Sequence, residues 1–144
     1  MLLHIFAACQ RWCNVSKWSR AMGRATAIPE SWQGQRVEQL PVRAADATER
    51  RVALAIVAAT RRTPWELSCL AQAATGQLLL RRRRASGVVV IGLRAGPEGW
   101  ETHAWLLGRR GALTGGAAAT GFTATSVFET ASGLRASDVE LGQC

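Results

Sequence analysis

The chain has 144 residues, 48% of them hydrophobic, and a formal net charge of +8 carried almost wholly by arginine, Lys17 being the single lysine. That length and apolar content fit one domain with its own core and exclude a chain disordered throughout. No apolar stretch reaches the roughly 18 residues of a membrane-spanning helix, and the charge favours an acidic partner unless it is a solvated surface in which codon bias has put arginine for lysine.

Residues 1–24 place Leu3, Phe6, Ala7, Trp12, Val15 and Trp18 among basic side chains and predict an amphipathic helix. The start lacks the basic n-region and small-residue cleavage site of a secretory signal, so the expected location is the cytoplasm. Cys9 and Cys13 lie four apart on that helix, a spacing and direction unsuited to a mutual disulfide. With His4 they form no complete metal-ligand set, because no second cluster supplies the remaining positions. They read as packing residues or free thiols, as does the terminal Cys144, and no metal or cofactor is expected.

Residues 25–45 hold Pro29, Gly34 and Pro41 without a sustained period and read as a connecting arm. Asp46 to Arg62 reads as a helix, with Asp46 as cap and Glu49 in the capping-box position. Its apolar stripe is Val52, Ile56 and Ala59, and Thr63-Pro64 ends it. Ser68 to Arg83 reads as the next helix, with Ser68 as N-cap and Cys69 in the first turn. Ala71, Ala73, Ala74 and Gly76 on that helix would let a strand pack close. Arg81-Arg82-Arg83-Arg84 ends it, where cations suit the helix dipole and where a peptide or partner would also find a surface.

Gly87 to Leu93 is a continuous apolar run and predicts a buried strand, followed by a turn at 95–99 and a second strand at 100–107. Alternation puts His103, Trp105 and Leu107 on one face, expected to turn toward the Cys69 helix. Gly108-Arg109-Arg110-Gly111 predicts a hairpin turn into a short strand at Ala112 to Thr114. Gly115 to Thr120 is loose, Phe122 to Phe128 predicts the last strand, and the tail after Ser132 is expected to fray. The organisation is then an N-terminal helix and arm at 1–45, a core at 46–130 and a polar tail at 131–144.

Two residues carry the chemistry. Cys69 sits at a helix start, where the partial positive charge of the terminus lowers a thiol pKa. His103, 34 residues on, sits on a strand where its imidazole can take the thiol proton and return it to a leaving amine. The Cys69 backbone N–H is the natural first oxyanion donor, and the Trp65 indole is a candidate second donor or a plain packing aromatic.

Pro64-Trp65, Ser68-Cys69-Leu70, the strand ending Val90-Ile91-Gly92-Leu93-Arg94, His103-Ala104-Trp105-Leu106, and Leu113-Thr114-Gly115-Gly116 with Gly121-Phe122-Thr123 together resemble the lasso peptide biosynthesis B proteins. These are leader peptidases of the microcin-processing type, in the transglutaminase-like cysteine protease superfamily. The resemblance covers about 46–128. It implies an α+β fold with a transglutaminase-like (papain-like) core, in which N-terminal helices and a Cys-bearing helix pack on a small antiparallel sheet. It implies Cys69 as nucleophile and His103 as general base. Some members carry an Asp about a dozen residues beyond the His; here that place falls at Thr114-Gly115, with no carboxylate near. A backbone carbonyl, the Thr114 hydroxyl or Glu101 is left to orient the imidazole.

The function implied is removal of the leader from a ribosomally made precursor in antibiotic peptide maturation, through an acyl-enzyme. The implied partners are the precursor, an asparagine-synthetase-like lasso cyclase and a separate leader-recognition protein, since residues 1–45 are too short and too helical for the winged-helix-like module many members carry. Three rivals remain: an acyltransferase on the same scaffold, a non-catalytic peptide-binding module suggested by the missing Asp, and a basic nucleic-acid-binding domain. Absence of interleaved aromatics weighs against nucleic acid, and no membrane role is expected.

Overall fold

The protein is described here as a computed structural model covering residues 15–63, 68–139 and 141. Helix α1 spans Val15–Met22 and leads into the three-residue strand β1, Arg24–Thr26. Helices α2 (Ala47–Arg62) and α3 (Cys69–Arg82) follow, then β2 (Val88–Gly96), β3 (Gly99–Leu107), β4 (Ala112–Thr114) and β5 (Thr123–Glu129). The five strands form one antiparallel sheet in the order β1-β5-β2-β3-β4. No helix among the described residues is long and apolar enough to cross a membrane. The expected helix over 1–24 is seen only from Val15; His4, Cys9, Cys13 and Cys144 lie outside the described residues.

The caps form where short polar side chains stand before apolar runs. Asp46 accepts the Glu49 backbone N–H at 2.9 Å, and Ser68 accepts the Ala71 N–H at 3.2 Å. Glu49 departs from the capping box. Its buried carboxylate takes the Ala45 N–H at 2.5 Å and the Arg109 N–H at 3.1 Å, tying the start of α2 to the β3–β4 hairpin.

Both faces of the sheet are buried, as the unbroken Val88-Val89-Val90 run requires. Val89, Ala104, Leu106 and Leu113 pack under α3 through its Ala71, Ala73, Ala74 and Leu80, with Val52 of α2 alongside. Val88, Val90, Trp105, Leu107 and Val127 pack on the other side. That second layer is closed by segments expected to be peripheral. Trp32, Val37 and Leu40 of the arm are buried there, and the Trp32 indole donates to the Val139 carbonyl at 3.2 Å. Ala136, Val139 and Leu141 are buried too, so the described part of the tail packs instead of fraying.

Two features of α3 set its seat. A methyl at Gly76 would fall 2.5 Å from Leu106 Cδ2, so helix and strand come closer than an alanine permits. Gln77 is wholly buried; its amide donates to the carbonyls of Met22 (3.2 Å) and Gly87 (2.8 Å) and accepts the Gly87 N–H at 3.0 Å. Gln77→Leu preserves bulk but strands three buried backbone groups. It is expected to cost about 2–4 kcal/mol, read as a lower urea midpoint at unchanged slope. A loss below about 0.5 kcal/mol would show that this anchor is dispensable.

Candidate active site

Cys69 is the first residue of α3 and is half-buried. Its thiol and the His103 imidazole are hydrogen-bonded, so the two residues that sequence reasoning singled out are brought together. They do not meet across the helix-facing side of the sheet, as alternation suggested. His103 lies on the face of Trp105 and Leu107, away from α3. Its ring stacks on Trp105 (centroids 5.9 Å apart, 23° between planes) and packs against Phe122 at 5.4 Å. Gly92 stands opposite His103 in β2, and a Cβ there would sit 2.8 Å from Trp105 Cη2; the missing side chain makes room for the indole beneath the imidazole.

The meeting point is the sheet edge. β4 pairs with β3 only at Leu106 and Leu107, and the chain leaves the sheet at Gly115 with φ of +72°. The outward backbone of β3 at Ala104 is therefore open, and the Ala104 N–H is hydrogen-bonded to the Cys69 sulfur. Helix α3 lays its first turn on that free edge.

The group that holds the imidazole is the Gly115 carbonyl, 2.8 Å from His103 Nε2. A carbonyl oxygen only accepts, so Nε2 carries the hydrogen and Nδ1 is left for the thiol. Of the three orienting candidates, this is the backbone carbonyl. Glu101 does not serve: its carboxylate binds the Arg94 guanidinium at 3.0 and 2.5 Å, the natural pairing of opposite charges directly across β2 and β3. Thr114 does not serve either, since its buried hydroxyl has no partner. Trp65 lies outside the described residues. The sequence offered a backbone carbonyl at Thr114-Gly115 without selecting it and gave no sign of the Ala104 N–H, because both act through backbone atoms. The Gly115-Gly116 pair following a strand was the available signal.

Phe122 and Arg94 complete the surroundings of the imidazole. The Arg94 guanidinium lies 4.3 Å over the Phe122 ring and donates to the Thr120 carbonyl at 3.1 Å, pinning the loop before β5 against β2.

The electrostatics favour a thiolate–imidazolium pair. The hydrogen bond from His103 lowers the Cys69 pKa most, against the opposing effect of burial, with further help from the Ala104 N–H, the charge on His103 and the Leu70 N–H. The His103 pKa is raised, chiefly by its bond to Cys69, against burial, with the Gly115 carbonyl adding to the rise and Arg94 opposing it. The two groups titrate as a pair. The lowered thiol and the raised imidazole shift the pair toward thiolate and imidazolium; acid protonates the thiolate, and base removes the imidazolium proton. Such a pair can attack an acyl carbon and return a proton to the leaving group.

Iodoacetamide should therefore alkylate Cys69 with a pH profile that rises below the ordinary thiol range. His103→Ala should move that rise to higher pH. Glu101→Gln should change the rate less than about tenfold, or 1.4 kcal/mol. Gly115→Ala places a methyl 2.7 Å from the Ala104 carbonyl at a left-handed position, and it should slow alkylation at neutral pH by about tenfold or more. An ordinary thiol profile in the unmodified protein would contradict the ion pair.

No curated protein and no solved structure matches the chain. A family model, that of the transglutaminase-like superfamily, matches residues 9–127, a span that takes in Cys69, His103 and Gly115. With a Cys-bearing helix N-terminus laid on the edge of an antiparallel sheet whose strand supplies the His, the chain belongs to the transglutaminase-like superfamily.

Proposed function

We propose that this protein is a cysteine peptidase that removes the leader peptide from a ribosomally made lasso peptide precursor. The observation that supports it is the Cys69–His103 pair with its imidazole held by the Gly115 carbonyl. The Cys69 thiolate attacks the carbonyl at the leader junction, and the tetrahedral oxyanion forms beside the first-turn N–H groups of α3. His103 passes its proton from Nδ1 to the departing amine, and the leader remains as a thioester on Cys69. Water, deprotonated by the now neutral imidazole, attacks the thioester and releases the leader acid and the free thiol.

The core in this reading relies on a separate leader-recognition protein, and the asparagine-synthetase-like cyclase takes the trimmed precursor onward. The work is placed in the cytoplasm, where thiols stay reduced. The resemblance of the Ser68-Cys69-Leu70 and His103-Ala104-Trp105-Leu106 segments to the lasso B proteins is what selects this substrate over other acyl donors.

The experiment is cleavage of a cognate precursor, with and without the recognition partner and across a salt series. Cleavage is expected to need the partner and to weaken as salt screens the basic surface. Cys69→Ala should abolish it while the circular dichroism spectrum is retained. Full-rate, salt-independent cleavage by this chain alone would remove the partner from the scheme. A product captured by added amine in place of water would make the enzyme an acyltransferase.

A further inference from the structure

The opposite end of α3 carries a second charged feature, about 18 Å along the helix axis from Cys69 at roughly 1.5 Å per residue. A surface pocket of about 420 Å³ is lined by Arg81, Arg84 and Arg109, together with Ser86, Thr130 and Ser132 and the small residues Ala85, Ala131 and Gly133. Three arginines line one cavity, and among the described residues no carboxylate lines it. The ion pairs among the described residues, Arg94–Glu101 and Arg135–Glu129, involve none of the three arginines. Glu49 meets Arg109 only through its backbone N–H. Arg81 is braced by a 2.8 Å bond from Nη1 to the Arg20 carbonyl.

Arg84 sits where a residue with a side chain is disfavoured. Its φ is +55°, and it is the one residue other than glycine with a positive φ among the described residues. The Arg84 N–H bonds to the Arg81 carbonyl at 3.0 Å and the Ala85 N–H to the Leu80 carbonyl at 3.0 Å. That is the Schellman ending of a helix, in which the left-handed position is usually glycine. An arginine there strains the backbone and adds a third cation to the lining of one pocket. Both effects disfavour the free protein, and an anion in the pocket would offset the second.

We propose that this pocket is a binding site for phosphate groups, held by the guanidinium forks of Arg81, Arg84 and Arg109. The Ser86 hydroxyl accepts the Leu134 N–H at 2.8 Å, which leaves its own hydrogen free to donate to the ligand. The planar fork of arginine matches phosphate oxygens in a bidentate way, and three such groups call for a ligand with more than one negative charge. Among the described residues no aromatic or large apolar side chain lines the pocket, so they offer a nucleobase no stacking surface and a peptide no side-chain slot. The phosphate is that of a free phosphate or diphosphate, or of a nucleic acid backbone. The site is independent of the Cys69 chemistry.

The test is binding of inorganic phosphate and pyrophosphate to the intact protein at matched ionic strength, by calorimetry and by the shift in Tm. Saturable pyrophosphate binding is expected, and Arg84→Gly and Arg109→Ala should each weaken it about tenfold or more. Arg84→Gly should also leave the unliganded Tm equal or higher, because glycine relieves the left-handed strain; this separates lost binding from lost folding. Arg51→Ala, the same charge removed from the exposed face of α2, should leave affinity within about twofold. Alkylation of Cys69 should be unchanged in all three variants. A short single-stranded oligonucleotide displaced by pyrophosphate would identify backbone phosphate as the source; pyrophosphate binding without oligonucleotide binding would identify a free phosphate ligand. Absence of saturable pyrophosphate binding in the millimolar range, equal weakening by Arg51→Ala, or equal affinity for citrate or a poly-glutamate peptide would overturn the proposal.

Discussion

The small side chains on the inner side of α3 set the distance between helix and sheet. Ala71, Ala73, Ala74 and Gly76 are buried there, and Leu106 reaches into the space a Cβ at Gly76 would occupy. Close packing of this kind is rigid, since interiors packed at crystal density transmit a displacement of even one methylene. It follows that the first turn of α3 has one place to land, and that place is the β3 backbone at Ala104. Gln77 fixes the same helix along its axis by gripping Met22 and Gly87. The Cys69 sulfur is positioned by the seat of a whole helix, and His103 meets it there.

The free edge is the second half of that geometry. A β4 long enough to pair with all of β3 would have consumed the Ala104 N–H in the ladder and covered the approach to His103. Because β4 stops at Thr114, the N–H faces the sulfur and the Gly115 carbonyl swings back onto the imidazole. A carbonyl dipole supports an imidazolium less strongly than a carboxylate does, as charge-assisted bonds exceed neutral ones roughly twofold in strength. The aromatic slot of Trp105 and Phe122 restricts the ring's rotation and so supplies part of the orientation that a carboxylate gives elsewhere. The charged residues nearby are occupied with each other: Arg94 and Glu101 pair across the strands.

Helix α3 thus carries opposite chemistry at its two ends, in the sense its dipole favours. The sulfur, as thiolate, stands at the positive N-terminus, and Arg81 and Arg82 occupy the last turn at the negative end. The buried carboxylates elsewhere are structural. Glu49 is satisfied by two backbone N–H groups, and Glu129 by the Ala136 N–H and Arg135. The arginine pocket differs from these in gathering cations with no carboxylate among the described residues that line it.

Local rules were enough to read the helices at 46–62 and 68–83 and the strands that follow. Asp46 and Ser68 announce their helices because a short acceptor side chain before an apolar run has few other uses, and Ser68 thereby places Cys69 in the first turn. The Val88–Val90 run, the 108–111 hairpin and the strand at 112–114 were legible from apolar pattern and glycine placement. β1 was not, since three residues carry no period and its existence depends on pairing with β5. Trp32, Val37, Val139 and Leu141 looked peripheral because only the assembled sheet offers the face they cover. The sequence by itself determined that a helix-start cysteine and a strand histidine exist and in what order. The tertiary structure decided that they meet at an edge, and that a glycine carbonyl bonds the imidazole, because backbone groups carry no side-chain signature and are aimed only by the fold.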